Sequence, residues 1–216
     1  AAPGFSASLR IEVTPSSRAP GDATRAVEIA FRTEHDPGVV DTLMAVTRNT
    51  PRLQVDLAVR RDQDLRFLGE GIINTTGSGQ TKSLRTEAGR AAVYFVQIAN
   101  AGNLTDTFLI RASNVPQNWS FSSQDALASG KEIGSDLLAQ GWATAAIEAA
   151  ASVTIRLEVR GSTNLLPGAV ASVLVSASSR ADGLRADAAG IITTISPRST
   201  SAHWGTYTVD ADFEMG

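Results

Sequence analysis

The sequence predicts an all-β fold, a sandwich or barrel, and three observations carry that expectation. Period-two alternation recurs: in Val153-Thr-Ile-Arg-Leu-Glu-Val-Arg160, the apolar Val153, Ile155, Leu157 and Val159 alternate with polar partners, giving one buried and one wet face. Turn signals separate the alternating runs, among them Asn100-Ala-Gly-Asn103, Pro167-Gly168, Asp182-Gly183 and Thr76-Gly-Ser-Gly79. Small and β-compatible residues fill the chain while aromatics are 6%, a balance suited to short strands and turns.

Taken in order, the strand-like runs are Ser8–Thr14, Ala26–Thr33, Val39–Thr47, Leu53–Val59, Ala92–Ile98, Thr107–Arg111, Val153–Arg160, Val170–Ser178 and Ala186–Thr194. In the run from Ala92, one face carries Ala92, Tyr94, Val96 and Ile98. The other carries Val93 and Phe95, two apolar residues that a solitary module would leave wet, so they are candidate interface residues expected under a loop or a neighbour. Residues 135–151 break the pattern. Their Ala-rich part, Ala143–Ala151, has helical propensity, but Gly141 and Trp142 allow at most one short helix. Near the end, Tyr207, Val209, Ala211 and Phe213 alternate with Thr206, Thr208, Asp210 and Asp212, which reads as a half-buried strand.

The chain also repeats itself. Leu9-Arg-Ile-Glu-Val13 matches Ile155-Arg-Leu-Glu-Val159, setting Arg10 on Arg156, an offset of 146 residues. In that register Val27 meets Val173, Asp36 meets Asp182, Asp41 meets Asp187 and Thr47 meets Thr193. Residues 1–49 thus read as the last three strands of one module, 50–196 as a complete module, and 197–216 as a linker with a C-terminal strand.

The run Phe67-Leu-Gly-Glu-Gly-Ile-Ile-Asn-Thr-Thr-Gly-Ser-Gly-Gln-Thr81 opens a series of turn-and-core patterns. It continues through Val96-Gln-Ile-Ala-Asn-Ala-Gly-Asn103, Thr105-Asp-Thr-Phe108, Gln117-Asn-Trp119 and Gly141-Trp-Ala-Thr144 to Val153–Val159 and Pro167-Gly168. In this order the patterns resemble the immunoglobulin-like or fibronectin III-like β-sandwich modules repeated in large secreted and surface-exposed bacterial proteins. The resemblance implies an antiparallel sandwich of about seven strands and an extracellular or cell-surface location. Two positions depart from it: Ala101 where a polar turn residue is usual, and Ala149-Ala150 where the first copy keeps Pro3-Gly4.

Composition narrows the chemistry. The 216 residues are 43% apolar and 19% charged, with mean hydropathy −0.02, a globular balance. A net charge of −3 argues against a nucleic-acid partner, and no apolar run approaches the ~18 residues of a membrane span. Ala1-Ala-Pro-Gly4 shows neither the basic nor the apolar part of a signal peptide. With no Cys, thiol catalysis, disulfides and thiolate metal sites are excluded. The only histidines, His35 and His203, have no companions at ligand spacing, and no Ser–His–Asp set or phosphate loop can be assembled.

The remaining candidates have structural readings beside the chemical ones. Trp119 and Trp142 could stack on sugars, but both follow turn residues at strand starts and read as core. Trp204, beside His203 in a polar tail, is a third candidate interface residue. Asp210, Asp212 and Glu214 could receive calcium, yet read better as a solvated strand face. Asp62 and Asp64 read as a charged turn. Asp36 and Asp41, with Asp182 and Asp187, read as hairpin aspartates serving nearby backbone donors.

These readings combine into one expectation: no enzyme, no cofactor and no metal, but a structural module of a bacterial fibre, sheath or adhesin. Its partners are further copies arranged head to tail or neighbouring domains of a longer chain. The strand Tyr207, Val209, Ala211 and Phe213 would add to an exposed sheet edge. The alternative is a carbohydrate-binding accessory module of a secreted hydrolase, which exposed Trp119 or Trp142 would favour.

Overall fold

The computed structural model describes residues 8–16, 19–126 and 130–198. The assembly strand expected at Tyr207, Val209, Ala211 and Phe213 lies outside them, as do Trp204, His203 and the acidic Asp210, Asp212 and Glu214. The described chain is all-β with one short helix, and that helix is not long and apolar enough to cross a membrane.

Two strands come first, β1 (Thr24–Arg32) and β2 (Val40–Arg48), paired as an antiparallel hairpin. Then follow β3 (Val55–Arg61), β4 (Thr81–Thr86), β5 (Ala91–Asn100), β6 (Phe108–Ser113), β7 (Trp119–Gln124), α1 (Gly134–Leu138), β8 (Trp142–Ala143), β9 (Ser152–Gly161), β10 (Val170–Ser179) and β11 (Ala186–Ile195). One sheet has the order β3-β5-β9-β7 and the other β4-β11-β10-β6-β8.

Alternation decides which residues meet between the sheets. Val55, Leu57 and Val59 of β3, Ala92, Tyr94, Val96 and Ile98 of β5, and Ile155, Leu157 and Val159 of β9 form one inner face. Phe108 and Ile110 of β6, Ala171, Val173, Val175 and Ala177 of β10, and Ala189 and Ile191 of β11 form the other. Each large apolar side chain buried this way stabilises by about 1.5–3 kcal/mol, so the strands with clean alternation anchor the fold. Val153, at the start of β9, is only partly buried.

Four expectations are corrected. Among the described residues, 50–196 holds nine strands rather than about seven, and β4 runs parallel to β11, so the fold is not wholly antiparallel. The chain crosses from β3 to the other sheet through residues 62–80. β4 is far from β11 in sequence, and no hairpin fixes their relative direction. Second, β4 is an additional strand, whereas β7 begins at Trp119 as expected: Thr81-Lys-Ser-Leu-Arg-Thr86 offers one apolar residue, Leu84, and β4 is an edge. Third, the helical propensity of the Ala-rich run Ala143–Ala151 goes unused, and the one short helix allowed in this stretch is Gly134–Leu138. Trp142–Ala143 instead pairs with Leu109–Ile110, and Ile147 is bridged to Asp106 and buried; these tertiary contacts outweigh propensity. Fourth, Ser8–Thr14 forms no strand: residues 8–16 have no ladder partner among the described residues. Its counterpart β9 is a central strand flanked by β5 and β7, and among the described residues no strand flanks 8–16.

The β1–β2 hairpin reproduces β10–β11 at the 146-residue offset down to single hydrogen bonds. Thr24 pairs with Arg48 as Val170 pairs with Thr194. The Val39 N–H donates to the Asp36 carbonyl at 3.0 Å, as that of Arg185 donates to Asp182 at 2.9 Å. The Asp36 and Asp182 carboxylates each accept a backbone N–H two residues on, at 3.1 Å. At the hairpin base, Asn49 N–H to Ala23 is matched by Ile195 N–H to Ala169.

One turn carries strain where Ala149-Ala150 stand in place of the first copy's Pro3-Gly4. The Ala151 N–H donates to the Glu148 carbonyl at 3.0 Å and Ala150 has φ of +61°, as at the third position of a type II turn, where glycine is preferred. Left-handed backbone costs a residue with a Cβ about 1–2 kcal/mol. Ala150→Gly should therefore stabilise the chain by about 1 kcal/mol, readable as a higher urea midpoint at unchanged slope.

Candidate functional site

The most constrained polar group is Asp187, at the start of β11 and fully buried. Its Oδ2 accepts the Leu57 N–H of β3 at 2.6 Å. Its Oδ1 accepts the Asn74 N–H at 2.9 Å and the Gln80 Nε2–H at 2.7 Å. One carboxylate thus ties β11 to the facing sheet and to the crossing segment 62–80. Each bond to a charged acceptor is worth about 1.5–3 kcal/mol, while burying the charge costs several kcal/mol. The net gain is small, and the larger effect is positional. The reading of Asp187 as a hairpin aspartate is corrected: Asp182 fills that role, accepting Leu184 N–H and Arg185 Nε–H.

The crossing segment is built to present these donors. The Asn74 Oδ1 accepts Thr76 N–H, Thr76 Oγ1–H and Ser78 N–H, and its Nδ2–H donates to the Ser78 carbonyl. Gly69 has φ of +111°, and a Cβ there would lie 2.5 Å from Gln80 Cβ, so only glycine lets the backbone pass the buried glutamine.

Asp56, facing this region, accepts the Gly71 N–H through Oδ2 at 2.8 Å. Burial pushes its carboxyl above the ordinary aspartate range, and the charges of Asp187 and Glu70 act in the same direction against the Gly71 bond. With Asp187 saturated by three donors, the pair does not form a free acid–base couple. Among the described residues no group of three or more His, Cys, Asp or Glu converges as metal ligands do.

At the other end of β3, the Arg61 guanidinium beside Asp64, followed by Lys82, holds the Asp64 carboxyl well below the usual carboxylate range. The contacts are Arg61 Nη2 at 2.7 Å and Lys82 Nζ at 3.0 Å. Asp62 is exposed. The candidate interface residue Phe95 is only 6% exposed. The Arg60 guanidinium lies 4.2 Å from its ring centre and 5.3 Å from that of Phe67, a cation–π cover from the same chain. Val93 is partly buried and lines a shallow recess with Arg61, Asp62, Gln63, Leu84 and Ala91.

A second polar cluster joins the hairpin to the module. The Asn103 Oδ1 accepts the Arg52 N–H at 2.6 Å, and its Nδ2–H donates to the Thr50 carbonyl at 2.9 Å. The Arg52 Nη2–H donates to the Ala101 carbonyl at 2.6 Å. From the hairpin side, the Gly21 N–H donates to the Asn103 carbonyl at 2.7 Å. Asn100 braces the turn from beneath, donating to the Leu104 and Ile147 carbonyls and accepting the Gly102 N–H. A Cβ on Gly102 would stand 2.4 Å from the Arg52 carbonyl. The sequence marked Asn100–Asn103 as a turn; its use as a clasp on the linker 49–52 needed the fold.

Trp119 and Trp142 are partly buried and pack against the core, while His35 is exposed. The assembly residues Tyr207, Val209, Ala211 and Phe213, with Trp204, fall outside the described residues and take no part in this geometry.

No protein-family model and no curated protein sequence matches the chain. Among solved structures, a family 123 glycoside hydrolase from Clostridium perfringens is similar at TM-score 0.42 and 9% identity, over 66% of this chain and 27% of that one. The chain therefore spans about a quarter of that enzyme. A FixG-related protein from Vibrio parahaemolyticus is similar at TM-score 0.36 and 7% identity, over 67% and 96%. The PapD-like domain 7 of human CEP192 is similar at TM-score 0.32 and 11% identity, over 54% and 80%.

Three outcomes test this geometry. Asp187→Ala orphans three donors and should cost about 3 kcal/mol, with Tm lower by roughly 10 °C in a thermal melt. Asp56 has its folded-state pKa raised, so its stabilising contribution is complete below the ordinary aspartate range and is lost as pH rises through the folded value. Asp56→Asn should accordingly gain stability relative to the parent between about pH 4 and pH 7, measured by urea unfolding at both. Asn103→Ala should unhook the linker and speed tryptic cleavage after Arg52, followed by mass spectrometry, without lowering the Tm of the module.

Proposed function

We propose that the chain is a non-enzymatic structural segment of tandem Ig-like sandwich modules, from a bacterial extracellular or cell-surface fibre, sheath or adhesin. One observation carries this reading. The β1–β2 hairpin repeats β10–β11 in register, turn bonds and base bonds at a fixed offset of 146 residues, as expected where one supersecondary unit is reused along a polypeptide.

The polar groups support the same reading. The most buried carboxylate is consumed by backbone and amide donors, and the cluster around Asn103 fastens a linker rather than facing a cleft. The outer edges of β1 and β2, which pair with no other strand among the described residues, give the segment a place to associate.

The test is direct. Immunolabelling should place the native protein outside the cell envelope, and titration against soluble polysaccharides and chromogenic glycosides should give neither saturable binding nor turnover. Saturable glycan binding abolished by Trp142→Ala would replace this proposal with the carbohydrate-binding one. Cytoplasmic labelling would remove its surface role.

A further inference from the structure

The β1–β2 hairpin has the inner face of a sandwich but, among the described residues, no second sheet over it. Val27 and Ile29 of β1 occupy the positions of Val173 and Val175, which are at most 1% exposed. Here they are half-buried, and Phe31 and Leu43 on the same face are 48% and 56% exposed. The preceding residues tell the same story. Leu9 and Ile11 are 64% and 40% exposed, while their counterparts Ile155 and Leu157 are fully buried.

Polar groups on this face say what it is shaped to receive. Asp41 stands at the position of Asp187 but is exposed, and among the described residues no donor reaches its carboxylate. All three donors to Asp187 (Leu57 N–H, Asn74 N–H and Gln80 Nε2–H) come from the 50–146 half of the module. Thr47 stands at the position of Thr193, whose hydroxyl lies 3.0 Å from the Tyr94 hydroxyl, with the Ile192 carbonyl accepting from Tyr94 at 2.8 Å. Tyr94 belongs to the same half. So do β4 and β6, which pair the free edges of β11 and β10.

We infer that residues 8–16 and 19–48 form a socket for a half-module of the 50–146 type. Its Asn-turn segment donates to Asp41, its central-strand tyrosine reaches Thr47 and the Val46 carbonyl, and two of its strands pair with the edges of β1 and β2. The occupant is a half-module from another repeat of this kind. The half-module within the same chain is already filled by β10 and β11, and a second intact copy would have to release its own hairpin first. Arg25, at the position of buried Ala171, sits at the strand end, where a long side chain can reach the rim. The inference rests on the tandem-module reading and adds the partner and the contacts that recognise it.

The experiment extends the full chain by a duplicate of residues 50–146 joined directly ahead of Ala1, which reproduces the order of the complete module. Hydrogen exchange followed by mass spectrometry should then show peptides covering 8–14 and 40–48 exchanging on the order of 100-fold more slowly than in the unextended chain. Asp41→Ala should abolish most of that protection in the extended chain and leave the melting of the unextended chain unchanged. An extension that gains no protection, or whose protection ignores Asp41→Ala, overturns the socket. So does an unextended chain that light scattering finds dimeric with 8–48 already protected, which would give the occupant as a second copy. If deleting residues 206–216 then restores the monomer, that occupant is the second copy's segment 206–216. Each of these results leaves the non-enzymatic reading standing, whereas glycoside turnover by the purified chain would end that reading and leave the socket intact.

Discussion

A single carboxylate sets the geometry on which this sandwich depends. The two sheets are held apart and together by apolar side chains that have no directional preference, so packing alone leaves their relative slide open. Asp187 removes that freedom, because its oxygens reach a β3 backbone N–H and two groups of the crossing segment at fixed distances. The crossing segment delivers β4 to the free edge of β11, so closing the second sheet follows from the same bonds. Burying an anion in a core brings little net stability; what it specifies is which of several equally apolar arrangements is occupied.

The clasp on the linker applies the same logic at the surface. Asn103 and Arg52 bind mainly backbone groups of each other's segments, so the contact depends on chain path more than on neighbouring side chains. Side chain–backbone bonds of this kind suit a joint that must hold one geometry while the surfaces around it vary. The Arg60 stack over Phe95 and Phe67 plays a related part, sealing an apolar outer face that would otherwise invite association.

The repeat explains why a well-formed hairpin can be left half-exposed. Nine backbone pairs and a tight turn make β1–β2 regular, yet a two-stranded hairpin is marginal without a sheet or helix over its apolar face. Residues 8–16 show the limit of this autonomy. Their counterpart is a central strand, and without neighbours on both sides the same alternating sequence forms no ladder.

Local patterning was enough to find the central strands with an unbroken apolar inner face: the alternation in Ala92–Ile98 and Val153–Arg160 emerges as β5 and β9 because period two and burial are the same fact there. The offset of 146 residues was legible for the same reason, and the hairpin turns at Asp36 and Asp182 followed from side-chain chemistry acting within three residues. Edge strands such as β4 were not legible, since a strand with one neighbour and little burial needs no apolar period. Neither was the parallel direction of β4, nor which strand Trp142–Ala143 pairs with. Above all, the sequence set Asp187 beside Asp182 as two turn aspartates. Only the fold, by bringing Leu57, Asn74 and Gln80 to within hydrogen-bond reach from more than 100 residues away, turned one of them into the pin between two sheets. Local patterns record what neighbours in the chain require, while a buried charge is decided by donors that only tertiary structure assembles.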